Sequence, residues 1–162
     1  FMEELWKGYT RPAIIGPKRR YAFSVPTHKP LCLTSVRDMG KIAARCILED
    51  DSPTGVLDVV SDVLSPHEMA AAFSDSMGGK KVIHKQSWTL YLASKFLLPE
   101  LHQIISFYRK TDFSPYAAQR PALLAHFDAP PALQTFSAFL EDTKWADFDR
   151  DYASLAANDE SS

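Results

Sequence analysis

Two side chains in the stretch Tyr91-Leu-Ala-Ser-Lys95 have the types and the spacing for proton transfer. Residues four apart share a helix face, and an ammonium group beside a phenol lowers its pKa enough for it to exchange a proton with a carbinol. That chemistry also needs a nicotinamide, and a Gly-rich turn to hold its phosphates; no such turn precedes the pair. The sequence holds six tyrosines, and roughly a third of chains of this make-up would carry such a pair by chance. Tyr91 and Lys95 are therefore read as a chance match on an apolar helix, and no residue is assigned a catalytic role.

Other chemistries find less support. His28, His67, His84, His102 and His126 are scattered, none at ligand spacing from another His or Cys, so no metal site is expected. Cys32 and Cys46 stand in apolar surroundings and read as small hydrophobes of a reducing compartment. No Gly-x-Ser-x-Gly turn and no phosphate-binding Gly-x-x-x-x-Gly-Lys loop is present. Glu3-Glu4 and Asp50-Asp51 are neighbours along the chain rather than facing carboxylates, and read as solvated. The net charge of -2 gives no case for nucleic acid or membrane binding, and Lys18-Arg19-Arg20, the one basic run, reads as a solvated hairpin tip. No apolar run has the length of a membrane span and no N-terminal targeting pattern is visible.

The elements that must position any site centre on Leu31 to Asp50. Leu31 to Leu33 is a short apolar strand, and Thr34-Ser35 leads into a helix. Ser35 and Asp38 have capping-box spacing: the hydroxyl would accept from the Asp38 N–H and the carboxylate from the Ser35 N–H. Val36, Met39, Ile42, Ala43, Cys46 and Ile47 predict one apolar face, with Arg37, Lys41, Arg45 and Glu49 largely opposite. A strand running into such a helix is half of a βαβ unit and predicts a parallel strand next. Val56 to Val60 is the predicted strand. Ser65-Pro66-His67-Glu68 then starts a second helix, with Met69, Phe73 and Met77 at intervals of four and Gly78-Gly79 ending it. Lys80 to Gln86 reads as another strand.

Upstream, Phe1 to Tyr9 reads as a short helix, Arg20 to Val25 as a strand, and Pro26 to Pro30 as a loop of a hairpin-like excursion. Downstream, Trp88 to Tyr108 is apolar on nearly every face and is divided or kinked at Pro99. A helix follows across Tyr116 to Phe127, interrupted by Pro121. Leu133, Phe136, Phe139 and Leu140 mark a last amphipathic helix, clamped by Trp145 and Phe148. Ala153 to Ser162 reads as a disordered tail.

Three segments, in this order, resemble the C-terminal portion of an NmrA-like protein, an atypical short-chain dehydrogenase/reductase. Phe1-Met2-Glu3-Glu4-Leu5 resembles that family's Phe-Met-Glu-Asn segment, just after a late strand of the dinucleotide-binding core. Thr34-Ser35-Val36-Arg37-Asp38-Met39-Gly40-Lys41-Ile42-Ala43 resembles its "valine, x, aspartate, isoleucine or methionine, glycine" helix start. Gly55 to Gly79 resembles its strand followed by a Ser-Pro-x-Glu-Met-Ala helix that ends at Gly. The likeness spans Phe1 to Tyr152.

The resemblance implies an α/β fold: a partial Rossmann-type parallel or mixed sheet with a mostly helical substrate-side cap. Residues 1–86 would be the C-terminal part of the NAD(P)-binding domain, 87–152 the cap and 153–162 the tail. The Gly-rich turn, and the family's own Tyr–Lys pair where present, would lie upstream of Phe1 in a longer chain. NADP or NAD would then be bound mainly by that upstream half, with none expected for this chain alone. Phe1 and Glu4 would edge the substrate or cofactor pocket, although Glu4 places a carboxylate where the family has a neutral Asn. The expected function is the substrate-side portion of an atypical reductase or an NAD(P)H redox sensor, in the cytoplasm or nucleus. The alternative is a non-enzymatic protein–protein interaction module using the apolar helix face 90–108. The expected partners are a small-molecule substrate or nucleotide, or a protein; neither nucleic acid nor membrane is expected.

Overall fold

The computed structural model describes residues 2–3, 13–15, 18–21, 24–48 and 55–147. Along these residues the elements run β1 (Ala13–Ile15), β2 (Lys18–Tyr21), β3 (Leu31–Leu33), α1 (Val36–Leu48), β4 (Asp62–Leu64), α2 (Pro66–Ser76), β5 (Val82–His84), α3 (Trp88–Leu97), α4 (Pro99–Lys110), α5 (Ser114–Leu124) and α6 (Phe136–Asp142). The chain is mixed α/β and mostly helical. The strands form two small sheets. In one, β2 lies between β1, antiparallel to it, and β5, parallel to it; in the other, β3 and β4 pair antiparallel.

The antiparallel pair corrects the βαβ expectation. A crossover helix returns the chain so that the next strand runs parallel to the first. Here the return from α1 includes an irregular segment over residues 55–60, tied down where the Thr34 hydroxyl donates to the Val59 carbonyl (2.7 Å). Val56 to Val60 is therefore not a strand. The ladder starts later, with the Ser61 N–H donating to the Leu33 carbonyl at 2.9 Å and Leu33 in register with Asp62. Leu57 and Val59 instead pack beside Ile42, Leu123 and Phe127 in a small second core. Lys18-Arg19-Arg20 is likewise no hairpin tip: it lies in β2, the middle strand of its sheet.

The main core forms around α2. Ser65 caps this helix as its sequence predicts, with Pro66 in the first turn and Glu68 closing the capping box. Met69, Phe73 and Met77 bury one face of it against Leu31, Val82, Phe136, Leu140 and Trp145. The Phe73 ring meets Phe136 edge-on at 5.3 Å and Trp145 at 4.5 Å. Trp145 thus clamps α6 as expected. Gly78 and Gly79 end the α2 region at φ 66° and 79°, a conformation glycine adopts without a Cβ penalty.

Pro99 divides the apolar stretch into two helices with Leu98 alone between them, and the two fold back on each other as a hairpin. Pro121 does not interrupt α5. That helix runs through to Leu124, and Leu123 and Phe127 pack on Ile42 of α1. Most of the short helix predicted over Phe1 to Tyr9, residues 49–54, Phe148 and the predicted tail from Ala153 lie outside the described residues.

Candidate functional site

Among the described residues a dense polar cluster sits at the N-terminus of α1. It corrects two expectations. The first is the capping box. The Ser35 hydroxyl donates to Gln134 Oε1 at 2.7 Å, and the Ser35 N–H donates to Ser61 Oγ at 3.0 Å. Asp38 turns its carboxylate away from the helix start: Oδ2 accepts from the Gln134 N–H (2.7 Å) and Oδ1 from Lys41 Nζ (3.1 Å). Asp62 repeats the device. Its Oδ2 accepts from the Phe136 N–H at 2.8 Å and its Oδ1 from the Val63 N–H at 2.9 Å. Lys41 Nζ closes the clasp on the Ala132 carbonyl (3.1 Å).

Two carboxylates and a lysine therefore hold the segment that leads into α6. Asp62 and Thr135 divide the first turn of that helix between them: Asp62 takes the Phe136 N–H, and Thr135 Oγ1 takes the Ala138 N–H. A carboxylate there also faces the positive end of the helix dipole. Each oxygen of Asp38 and Asp62 has a donor within the chain, so the cluster positions a segment rather than presenting an acid or base.

The second correction concerns which face of α1 is buried. Ile42 is buried, but so is Asp38, with no exposed surface. Val36, Met39 and Ile47 of the predicted apolar face are 52%, 41% and 82% exposed, and Ala43 is exposed between them. The clasp explains the rotation: burying Asp38 against Gln134 turns the apolar stripe outward.

Glu3 supplies what Asp38 does not. Its Oε1 accepts from the Val36 N–H at 2.9 Å, capping α1 from a remote part of the chain, while the Met2 N–H donates to the Thr34 carbonyl. Glu3 Oε2 is buried with no partner among the described residues. Phe1 and Glu4, the two residues expected at a pocket edge, lie outside the described residues.

Tyr91 and Lys95 do different things. The Tyr91 hydroxyl pairs with Ser106 Oγ across the α3–α4 hairpin at 3.1 Å, while Lys95 Nζ lies 5.9 Å from the Phe96 ring centre. The Tyr91 ring is one wall of a corner filled by the Arg109 guanidinium, 4.8 Å from both the Tyr91 and Trp88 rings. Arg109 also donates to the Ser24 carbonyl (2.9 Å), and His102 Nδ1 lies 3.2 Å from both Ser94 Oγ and the Tyr91 carbonyl. These contacts lock the hairpin together and tie it to the loop before β3.

Titration behaviour follows local hydrogen bonding. The Ser65 N–H and hydroxyl hold the Glu68 carboxyl below the usual glutamate range. The Ser114 N–H does the same for Asp112. Burial, aided by Asp58, pushes the Cys32 thiol up, which suppresses the nucleophilic thiolate. Among the described residues no three His, Cys, Asp or Glu side chains are grouped to hold a metal, and no helix is long and apolar enough to cross a membrane.

Sequence reading missed the clasp. Asp38, Asp62 and Gln134 carry no local motif that joins them, and Glu3 read as a solvated end. The chain matches no protein-family model, and no curated protein matches it.

Proposed function

We propose that this chain is the substrate-side portion of an NAD(P)-binding protein of the NmrA-like kind, with a partial Rossmann-type sheet completed by a nucleotide-binding half upstream. The observation that carries the reading is the state of α1. Its N-terminus is capped by Glu3, and its apolar stripe of Val36, Met39, Ala43 and Ile47 faces outward. A stripe at helical spacing is ordinarily a packing surface, and an adjoining domain half would cover it.

A second feature supports the same reading. The three segments that resemble the family are far apart in sequence, yet they meet: Met2–Glu3 docks on the start of α1, and β3 before it pairs with β4, which leads into the Ser65-capped helix. In such a protein these elements position substrate over a cofactor held elsewhere, whether for reduction or for sensing the redox state.

The test is calorimetric titration of NADPH and NADH onto this chain and onto a form extended upstream. Binding to the extended form alone is the expected result. Binding to neither, or full-strength binding to this chain by itself, would overturn the proposal.

A further inference from the structure

Helix α3 turns a bare apolar face outward. Tyr91 and the buried Ser94 face α4, where they meet Ser106 and His102. On the other side Trp88, Leu92 and Phe96, 58%, 54% and 79% exposed, stand four apart and form one ridge. The next ridge, Thr89, Ala93 and Leu97, is exposed too, and its small first two members leave a groove beside the first. Lys95 is the one charged residue within α3, and it lies on the flank away from that groove.

Three observations choose the occupant. The first is shape. The Trp88, Leu92, Phe96 ridge reads aromatic, aliphatic, aromatic, and keeps that profile when turned end for end about Leu92. A two-fold axis at Leu92 sets each ridge into the other copy's groove, with Trp88 beside Phe96 at both ends; an isologous contact needs this self-complementarity. The second is charge. Lys80, Lys81 and Lys85 precede α3, and Arg109 and Lys110 close α4, so the base of the hairpin is cationic, while Glu100, its only carboxylate, sits at the tip. Antiparallel pairing brings each tip to the other copy's base, whereas parallel pairing would bring base to base. The third is area. The exposed parts of Trp88, Leu92, Phe96, Leu97 and Leu98 come to roughly 600 Å² a copy, or about 1,200 Å² for a pair, the lower end of what a stable interface buries.

We infer that the outward face of α3 is the interface of a homodimer, in which two copies of this chain pair antiparallel about a two-fold axis at Leu92. The inference uses none of the residues that carry the proposed function, whose outward stripe is on α1, and does not depend on it.

The experiment is sedimentation equilibrium of this chain across the micromolar range, and a monomer–dimer equilibrium is the expected result. Leu92→Asp puts two like charges on the axis and should weaken the dimer at least about 100-fold. Phe96→Ser should weaken it about tenfold. Both sites are exposed, so the circular dichroism of the parent should be kept; if Leu92→Asp alters it, Phe96→Ser decides. Ile47→Asp, on the α1 stripe, should leave the dimer unchanged. A monomer throughout, a dimer that tolerates both α3 variants, or a dimer that Ile47→Asp dissociates would overturn the inference. So would a dimer formed by this chain but not by its upstream-extended form, which would give the α3 face to the upstream half.

Discussion

Asp38→Ala is the sharpest perturbation of the clasp. Asp38 has no exposed surface, and its carboxylate accepts from the Gln134 N–H at 2.7 Å and Lys41 Nζ at 3.1 Å. A hydrogen bond to a charged group contributes about 1.5–3 kcal/mol, and removing the acceptor leaves a donor to find another partner. Lys41 is half-buried, so its ion pair adds at most about 1 kcal/mol. The expected loss is about 2–3 kcal/mol. At about 2–4 °C per kcal/mol for a chain of this size, the melting temperature falls by roughly 5–10 °C. Asp38→Asn keeps an acceptor for Gln134 and should cost about half as much.

Asp62→Ala releases the next turn of the same segment, since Asp62 Oδ2 accepts from the Phe136 N–H. If one segment is being held, the double variant costs less than the sum of the singles by at least about 0.5 kcal/mol. Urea unfolding followed by circular dichroism measures the parent, the single variants and the double. A loss under about 0.5 kcal/mol for Asp38→Ala, or strict additivity with Asp62→Ala, would refute the clasp.

Other substitutions probe separate parts of the fold. Phe73→Ala removes a ring buried between Phe136 and Trp145 and should cost about 3–5 kcal/mol in denaturant unfolding. Ser65→Ala deletes the capping hydroxyl of α2 and should cost about 1 kcal/mol near neutral pH. Because the folded Glu68 carboxyl titrates below its unfolded value, its contribution is complete above about pH 4.3 and is lost as pH falls through the folded value. The gap between parent and Ser65→Ala should therefore narrow on acidification; a gap that widens between neutral pH and pH of about 3 would contradict the capping account. Tyr91→Phe should lose about 1 kcal/mol through its Ser106 bond, and Lys95→Ala less than about 0.5, with any NADPH affinity of the extended form unchanged in both. A variant that abolished turnover without changing stability would restore the pair to a catalytic role.

Local devices follow from neighbouring residues alone. Trp88 to Lys110 breaks at Pro99, where proline lacks the N–H that would continue the ladder and its ring crowds the preceding turn, whereas Pro121 is accommodated inside α5. Phe136, Phe139 and Leu140 marked their helix by spacing, and all three are buried. Strand pairing does not follow in this way. The direction of β4 against β3 depends on how the chain returns from α1, and the described end of that return, residues 55–60, is held by the Thr34 hydroxyl and the Ser61 N–H rather than by a ladder of its own β-branched residues.

Two similar tetrapeptides mark the boundary. Ser65-x-x-Glu68 forms its capping box, and Ser35-x-x-Asp38 does not. Asp has one methylene less than Glu, and around Ser35 the tertiary structure offers competing partners: Glu3 for the first helical N–H, Ser61 for the Ser35 N–H, and Gln134 for both the hydroxyl and the carboxylate. Local sequence decides a cap where nothing else can reach the helix end. Where remote groups can, their hydrogen bonds decide it, and here they also decide which face of α1 is buried.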